Sequence, residues 1–423
     1  QVVLANEHGS TVMSKGYAVS PDAWTTIVFN LPDYIMLDET WGYTTYAGGD
    51  DTESDVYTTV TRIALKVGFE ESPGSGSYRY NIDNLTIEES TTPLSLRALA
   101  SIRGIIMGAA VNHDELALSA ISTTLAREFN CLVAGNDMKF SYLHPLENTY
   151  NWTDADQLTT FAAANDMQVR GHVLLWHSDY QIPHWVKDKS FADLGTVVEN
   201  HVENVMTHFE NKIYAWDVAN EILLDDGSGL RNRTLTGGDY SVWAENAADD
   251  SLFRAAFNKA DAVRTANGDP VKLYLCDYSN EAMGGAKADA FYTLASEWVN
   301  DNIPIDGVAF QLHLMEKYTP NYAMIRANID RFLALGLDVQ FTEIDVRIQE
   351  PVTQAKLDNQ AVIYGELMNI LLEKGLNTFI TWGISDAWSW IPSVWPDYGW
   401  ALMFDESFEP KPAYYAVQSV LIL

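Results

Sequence analysis

The sequence predicts a (β/α)8 barrel preceded by a smaller all-β, sandwich-like domain, and three observations lead there. From residue 97 onward, eight short apolar runs alternate with amphipathic stretches. Polar and aromatic side chains gather where those runs end. The first ninety residues differ in texture, being rich in Thr, Val, Ile and aromatics and broken by turn residues.

Taken in order, AWTTIVFNL, YTTVTRIALKVGF and SYRYNIDNLTIEE read as antiparallel strands separated by GGDD and SPGSGS, which places a β-rich domain over residues 1–90. Trp24, Trp41, Tyr43 and Tyr46 suit a sugar-stacking platform and an ordinary packing core equally well. The polar segment EESTTPLS leads into a linker at 91–96, and the larger domain occupies 97–423.

Within the larger domain the strand candidates are GIIMGAAV (104–111), CLVAG (131–135), MQVRGHVLLW (167–176), IYAWDVA (213–219), VKLYLCD (271–277), GVAFQLH (307–313), LDVQFTE (337–343) and NTFITWG (377–383). Continuous apolar runs of this kind suit parallel strands covered on both faces. The stretches between them, such as ADLGTVVENHVENVMTHF and NQAVIYGELMNILLEKG, repeat apolar residues every three and four positions, as amphipathic helices do. Periodicity alone leaves a doubly wound open sheet as the alternative. The polar residues at the run ends favour the barrel, whose chemistry collects at the C-terminal ends of its strands. Here those ends carry Asn136, His172, Asn220, Glu221, Asp277, Gln311, His313, Glu343 and Trp382.

Composition narrows the partners. With 58 acidic against 26 basic residues, the formal net charge of −32 repels phosphate backbones and anionic lipid, so neither nucleic acid nor a membrane is expected as a partner. No run of eighteen apolar residues suggests a membrane span. The two cysteines, Cys131 and Cys276, sit inside apolar runs and read as buried free thiols, and no metal-ligand cluster can be built from them.

Glu221 ends the fourth run and Glu343 the seventh, so closing a barrel would set them across its mouth. Facing carboxylates are what glycoside hydrolysis requires: one protonates the leaving oxygen while the other attacks the anomeric carbon or activates water. The two must differ in protonation, and the acid is expected to be raised by partial burial and by its neighbour's charge.

Six motifs, WDVANE, GHVLLWHS, GVAFQLH, FTEIDV, LYLCDY and TWGISDAWSW, together resemble the barrel-strand signatures of family 10 glycoside hydrolases, the retaining endo-β-1,4-xylanases, over residues 97 to about 420. The resemblance implies a secreted, extracellular enzyme that acts on xylan or xylo-oligosaccharides without a metal or other cofactor; a monomer is expected. It makes Glu221 the acid/base and Glu343 the nucleophile. It also gives Asn220 a hydrogen bond to the sugar 2-hydroxyl, and has His313 orient the nucleophile with Gln311 beside it. Asn136, Lys139, His172 and Trp176 are expected to hold sugar on the non-reducing side of the cut, Trp382 and Trp390 to close over it, and Tyr278 to stack on the acceptor side.

Two departures stand out. The family usually has Glu where Gly135 stands and Gln after the WHS triplet, where this chain has Asp179. They keep open a related retaining β-glycanase acting on mixed-linkage xylan or β-glucan; a non-catalytic glycan-binding protein on the same scaffold is the remaining alternative. The N-terminal β-rich segment is similar to part of the carbohydrate-binding sandwich modules that accompany xylanases.

Overall fold

The computed structural model describes residues 94–422 and, within residues 1–93, the backbone of four strands. The chain divides into two compact units, residues 1–94 with 422–423 and residues 95–421. In the first, strands Val2–Asn6, Thr11–Ser14, Tyr34–Met36 and Val60–Leu65 form one antiparallel sheet, with Val2–Asn6 paired between Thr11–Ser14 and Val60–Leu65. Trp24, Trp41, Tyr43 and Tyr46 lie outside the described residues.

The second unit is a closed barrel of eight parallel strands: β1 (Ile106–Val111), β2 (Cys131–Ala134), β3 (Gln168–Gly171), β4 (Ala215–Asn220), β5 (Lys272–Asp277), β6 (Gly307–Phe310), β7 (Asp338–Gln349) and β8 (Thr378–Thr381). Each pairs with the next in sequence, and β8 returns to β1 through Thr378↔Ile106. The open sheet is therefore excluded. Strands β2, β4, β6 and β8 are buried at every residue, which is why they read as unbroken apolar runs. The run 167–176 is not one strand: β3 stops at Gly171, and a two-residue strand, Leu175–Trp176, resumes beside the end of β4. Both cysteines are buried and free.

Helices fill the intervals and are bounded by ordinary signals. Ser95 caps the helix Leu96–Arg103 by accepting from the Ala98 N–H, and Gly104 ends it at φ 69°, where a glycine carries no Cβ penalty. Inside the barrel, the fully buried Trp216 ring lies against Gly171, where a Cβ would come within 2.2 Å of it. A larger side chain at 171 would displace that ring.

The interior also holds a polar chain. Arg170 on β3 makes paired hydrogen bonds to Asp217 on β4, one of them 2.7 Å, and donates through Nε to Gln340 on β7 at 3.0 Å. Gln340 donates in turn to the Tyr274 hydroxyl on β5 at 2.8 Å. Because β3 and β7 are not neighbours in the sheet, the Arg170–Gln340 bond crosses the barrel. A buried charge pair of this kind is tolerated only with its partners in place. Its upper end reaches the site, since Asp217 also accepts from His172 Nδ1 at 2.9 Å.

Candidate active site

The C-terminal ends of the strands open into one cleft of about 1250 Å³. That exceeds the pocket of a single small ligand, roughly 300–1,000 Å³, and suits an extended chain. The twelve residues given a catalytic or binding role line it: Asn136, Lys139, His172, Trp176, Asn220, Glu221, Tyr278, Gln311, His313, Glu343, Trp382 and Trp390; Asp277, also named at a strand end, is fully buried and does not.

Glu343 projects from the middle of β7 and is only 4% exposed. Its Oε2 lies 3.3 Å from His313 Nε2, while His313 Nδ1 lies 2.7 Å from Asp345 Oδ2. Burial alone would lower the imidazole, but Asp345 and then Glu343 outweigh it and lift His313 to about 10. At neutral pH this ring is an imidazolium clamped between two carboxylates, and it fixes the Glu343 carboxyl by a hydrogen bond to Oε2. Trp390 Nε1 donates to the same Asp345 oxygen at 2.9 Å, which ties the aromatic wall to the clamp.

Glu221 follows β4 directly, at φ 53°, a left-handed backbone that a non-glycine residue seldom adopts. That turn aims the carboxylate into the cleft. Trp176 Nε1 donates to Oε2 at 2.8 Å and Gln311 Nε2 to Oε1 at 3.0 Å; Gln311 also donates to Asn220 Oδ1 at 3.0 Å. The expectation that Glu221 is raised is corrected here. Burial pushes it up, but His177, Gln311, Trp176 and Lys287 together bring it below the ordinary carboxylate value. His177, 3.8 Å away, is itself held down to about 4 by burial, so its charge acts only in acid solution. The expected repulsion from Glu343 is not among the main influences on Glu221.

Around these two, Lys139 is buried, donates to Asn136 Oδ1 at 3.0 Å and sits 4.5 Å above the Trp176 ring. Burial pulls it down to about 8 against the opposing charges of Glu343 and Glu221, so it stays mainly cationic at neutrality. Trp382 approaches His172 edge-on, with ring centroids 5.1 Å apart. Tyr278 donates to Asp225 and accepts from Arg231 Nη2 at 2.7 Å, while the Lys287 ammonium lies 3.3 Å from its ring centre. Asp277, pushed up to about 6 by burial, holds that ammonium at 2.7 Å.

At the departures, a Cβ at Gly135 would lie 2.8 Å from Asn112 Oδ1, so a side chain there would have to displace the Asn112 amide. Asn112 accepts from the Asn136 N–H at 2.8 Å and donates to Glu115 at 2.9 Å, so another amide and carboxylate line this end of the cleft. Asp179 pairs with Lys187 at 2.7 Å and is mostly exposed.

Sequence reasoning did not single out Asp345, His177, Lys287, Trp395 or the Asn112–Glu115 pair. Asp345 was accessible: two positions after Glu343 on a strand, it shares that residue's face. The others depend on loop paths that no periodicity announces.

The family model for glycosyl hydrolase family 10 matches residues 95–420. Endo-1,4-beta-xylanase B of Thermotoga neapolitana is 32% identical over 333 residues, covering 77% of this chain and 91% of that protein. An endo-1,4-beta-xylanase of Agaricus bisporus is 32% identical over 318 residues, covering 73% and 89%. Among solved structures, xylanase 10B of Thermotoga petrophila RKU-1 in complex with xylobiose superposes with a TM-score of 0.72 at 34% identity, covering 79% of this chain and 98% of that one.

Proposed function

The chain belongs to glycosyl hydrolase family 10, and from that premise we propose that it is an endo-1,4-β-xylanase that cleaves xylan with retention of anomeric configuration. The observation that carries this reading is the unequal treatment of two glutamates in one cleft. Glu343 is held by an imidazolium, whereas Glu221 is held by the neutral donors Trp176 and Gln311 with a more distant ammonium.

The unequal pair divides the labour. Glu343, oriented by His313, attacks the anomeric carbon as the glycosidic bond breaks, giving a glycosyl ester. Glu221 delivers its proton to the departing oxygen and then takes one from the water that hydrolyses the ester. In the free cleft Glu221 favours its charged form, so the acid form must gain from the substrate. A sugar chain covering the cleft deepens burial and sets a glycosidic oxygen, an acceptor, beside the carboxyl; both favour the protonated state. Asn220, oriented by Gln311, faces the 2-hydroxyl, and Asn136, Lys139, His172, Trp176, Trp382 and Trp390 bind the donor sugars, with Tyr278 on the acceptor side. The 32% identity to an endo-1,4-beta-xylanase and the xylobiose bound to the Thermotoga petrophila xylanase support xylan as the substrate.

The missing side chain at Gly135, with Asn112 beside it, and the Asp179 departure favour a second reading, a related β-glycanase acting on mixed-linkage xylan or β-glucan. Product analysis on β-1,4-xylan, mixed-linkage xylan and β-glucan separates the two; rapid internal cleavage of β-1,4-xylan is expected, and preference for another polymer overturns the first reading. For residues 1–90 we propose a carbohydrate-binding role, with an ordinary packing domain as the equal alternative. Loss of retention on insoluble xylan after deletion of residues 1–95 is the expected result, and unchanged retention refutes it.

A further inference from the structure

An arginine in the cleft wall has no anionic partner. Arg347 lies on β7, four positions beyond Glu343, and lines the cleft. Among the described residues its guanidinium makes no ion pair and no hydrogen bond, and its buried Nε is left without a partner. Its only contacts of note are aromatic, 4.2 Å from the Trp395 ring centre and 5.8 Å from that of Tyr398. Glu316 runs alongside and donates its backbone N–H to the Arg347 carbonyl, but its carboxylate forms no ion pair with the guanidinium. Lys317 is also near Tyr398, with its ammonium 5.7 Å from that ring and 5.2 Å from the Tyr318 ring; it bonds to the Tyr398 hydroxyl and the Gln349 amide oxygen and, among the described residues, makes no ion pair.

Among the described residues, seven of the other ten arginines are ion-paired, so two neighbouring cations without counter-ions stand out in a chain of net charge −32. Arginine stays charged under all ordinary conditions, and its planar fork matches a carboxylate in two parallel hydrogen bonds. The Trp395 ring lies 4.2 Å from the guanidinium, whose N–H groups have no hydrogen-bond partner among the described residues. The position is also connected to the chemistry. His313 touches Trp390 at 5.1 Å between ring centres, Trp390 touches Trp395 at 5.2 Å, and Arg347 stacks on Trp395, so the cation stands a few side chains from Glu343 along the aromatic wall.

We propose that Arg347, supported by Trp395 and Lys317, binds the carboxylate of a uronic acid branch on the xylan chain, making acidic xylan a favoured substrate. The inference rests on the xylan-cleaving reading above. The backbone sugars are neutral and would leave the guanidinium unpaired, whereas a branch carboxylate supplies the missing anion and the Trp395 ring an apolar face for its sugar.

The test compares kcat/KM on glucuronoxylan with kcat/KM on the same polymer after its carboxyls are reduced to alcohols. The wild-type enzyme should favour the acidic polymer, and Arg347→Met should lower the ratio about tenfold, the order expected for a charge-assisted bidentate contact. Arg347→Lys should retain part of the preference, and Lys317→Gln should lose a smaller part. A ratio unchanged in Arg347→Met and Lys317→Gln overturns the inference, as does a wild-type ratio near one. Failure of the wild type to cleave either polymer would instead count against the xylanase reading.

Discussion

Replacing Gln311 by Met removes one donor from Glu221 and one from Asn220 while leaving the volume nearly unchanged. In the native cleft the Gln311 amide lies 3.0 Å from each oxygen and is wholly buried. A hydrogen bond to a charged group contributes roughly 1.5–3 kcal/mol. At about 1.4 kcal/mol per pKa unit, its loss should raise Glu221 by about one to two units. The sign follows from the role: the acid must carry its proton, so activity falls as pH rises through the Glu221 value, and raising that value extends activity toward alkaline pH. The assay is the pH dependence of kcat/KM on soluble xylan, which reports the free enzyme. The alkaline limb should move upward by that amount, and Trp176→Phe, which removes the 2.8 Å donor to the other oxygen, should move it the same way. A limb that stays put or moves downward in both variants refutes the assignment of Glu221 as the acid.

Arg170→Leu should destabilise the barrel by about 3–5 kcal/mol in urea unfolding, because Asp217 is left buried without its partner; a loss under about 1 kcal/mol would show the interior chain to be dispensable. Gly135→Ala should raise KM for short xylo-oligosaccharides by displacing Asn112, and Asn112→Gly in the same chain should recover part of the loss; strictly additive effects would argue against the clash. His144 and His177 are each held down to about 4 by burial, whereas unfolded histidines titrate near 6.5. Their contribution is complete above about 6.5 and is lost as pH falls toward 4, so the Tm should drop over that window, by a free energy on the order of a few kcal/mol. A flat Tm from pH 6.5 to 4 would contradict this.

Much of this was legible in the sequence, for identifiable reasons. The buried parallel strands leave continuous apolar runs, and a polar residue that follows such a run has nowhere to point but the mouth of the barrel. That logic located Glu221, Gln311 and His313 before any coordinates. It overextended the run 167–176, because Val173 and Leu174 are as apolar as a strand interior although the backbone has left the sheet there. It stopped β7 at Glu343, whereas the strand continues to Gln349 and carries the buried Asp345 to His313 and Arg347 to the cleft wall. The ionisation of Glu221 was misjudged for a different reason: its donors come from Trp176 and Gln311, 45 and 90 positions away, and the number of hydrogen bonds a carboxylate receives is set by tertiary contacts. The Asn112 side chain that fills the space beside Gly135 was invisible for the same reason.

The central claim is that Glu343 is the nucleophile of a retaining enzyme. The most direct measurement is the activity of Glu343→Ala on an activated β-xylobioside with and without sodium azide, with the anomeric configuration of the product read by NMR. The account predicts activity near background without azide and recovery with it, giving the α-glycosyl azide, because azide enters from the face that the carboxylate has vacated. Substantial activity without azide, or a rescued product of β configuration, would contradict it.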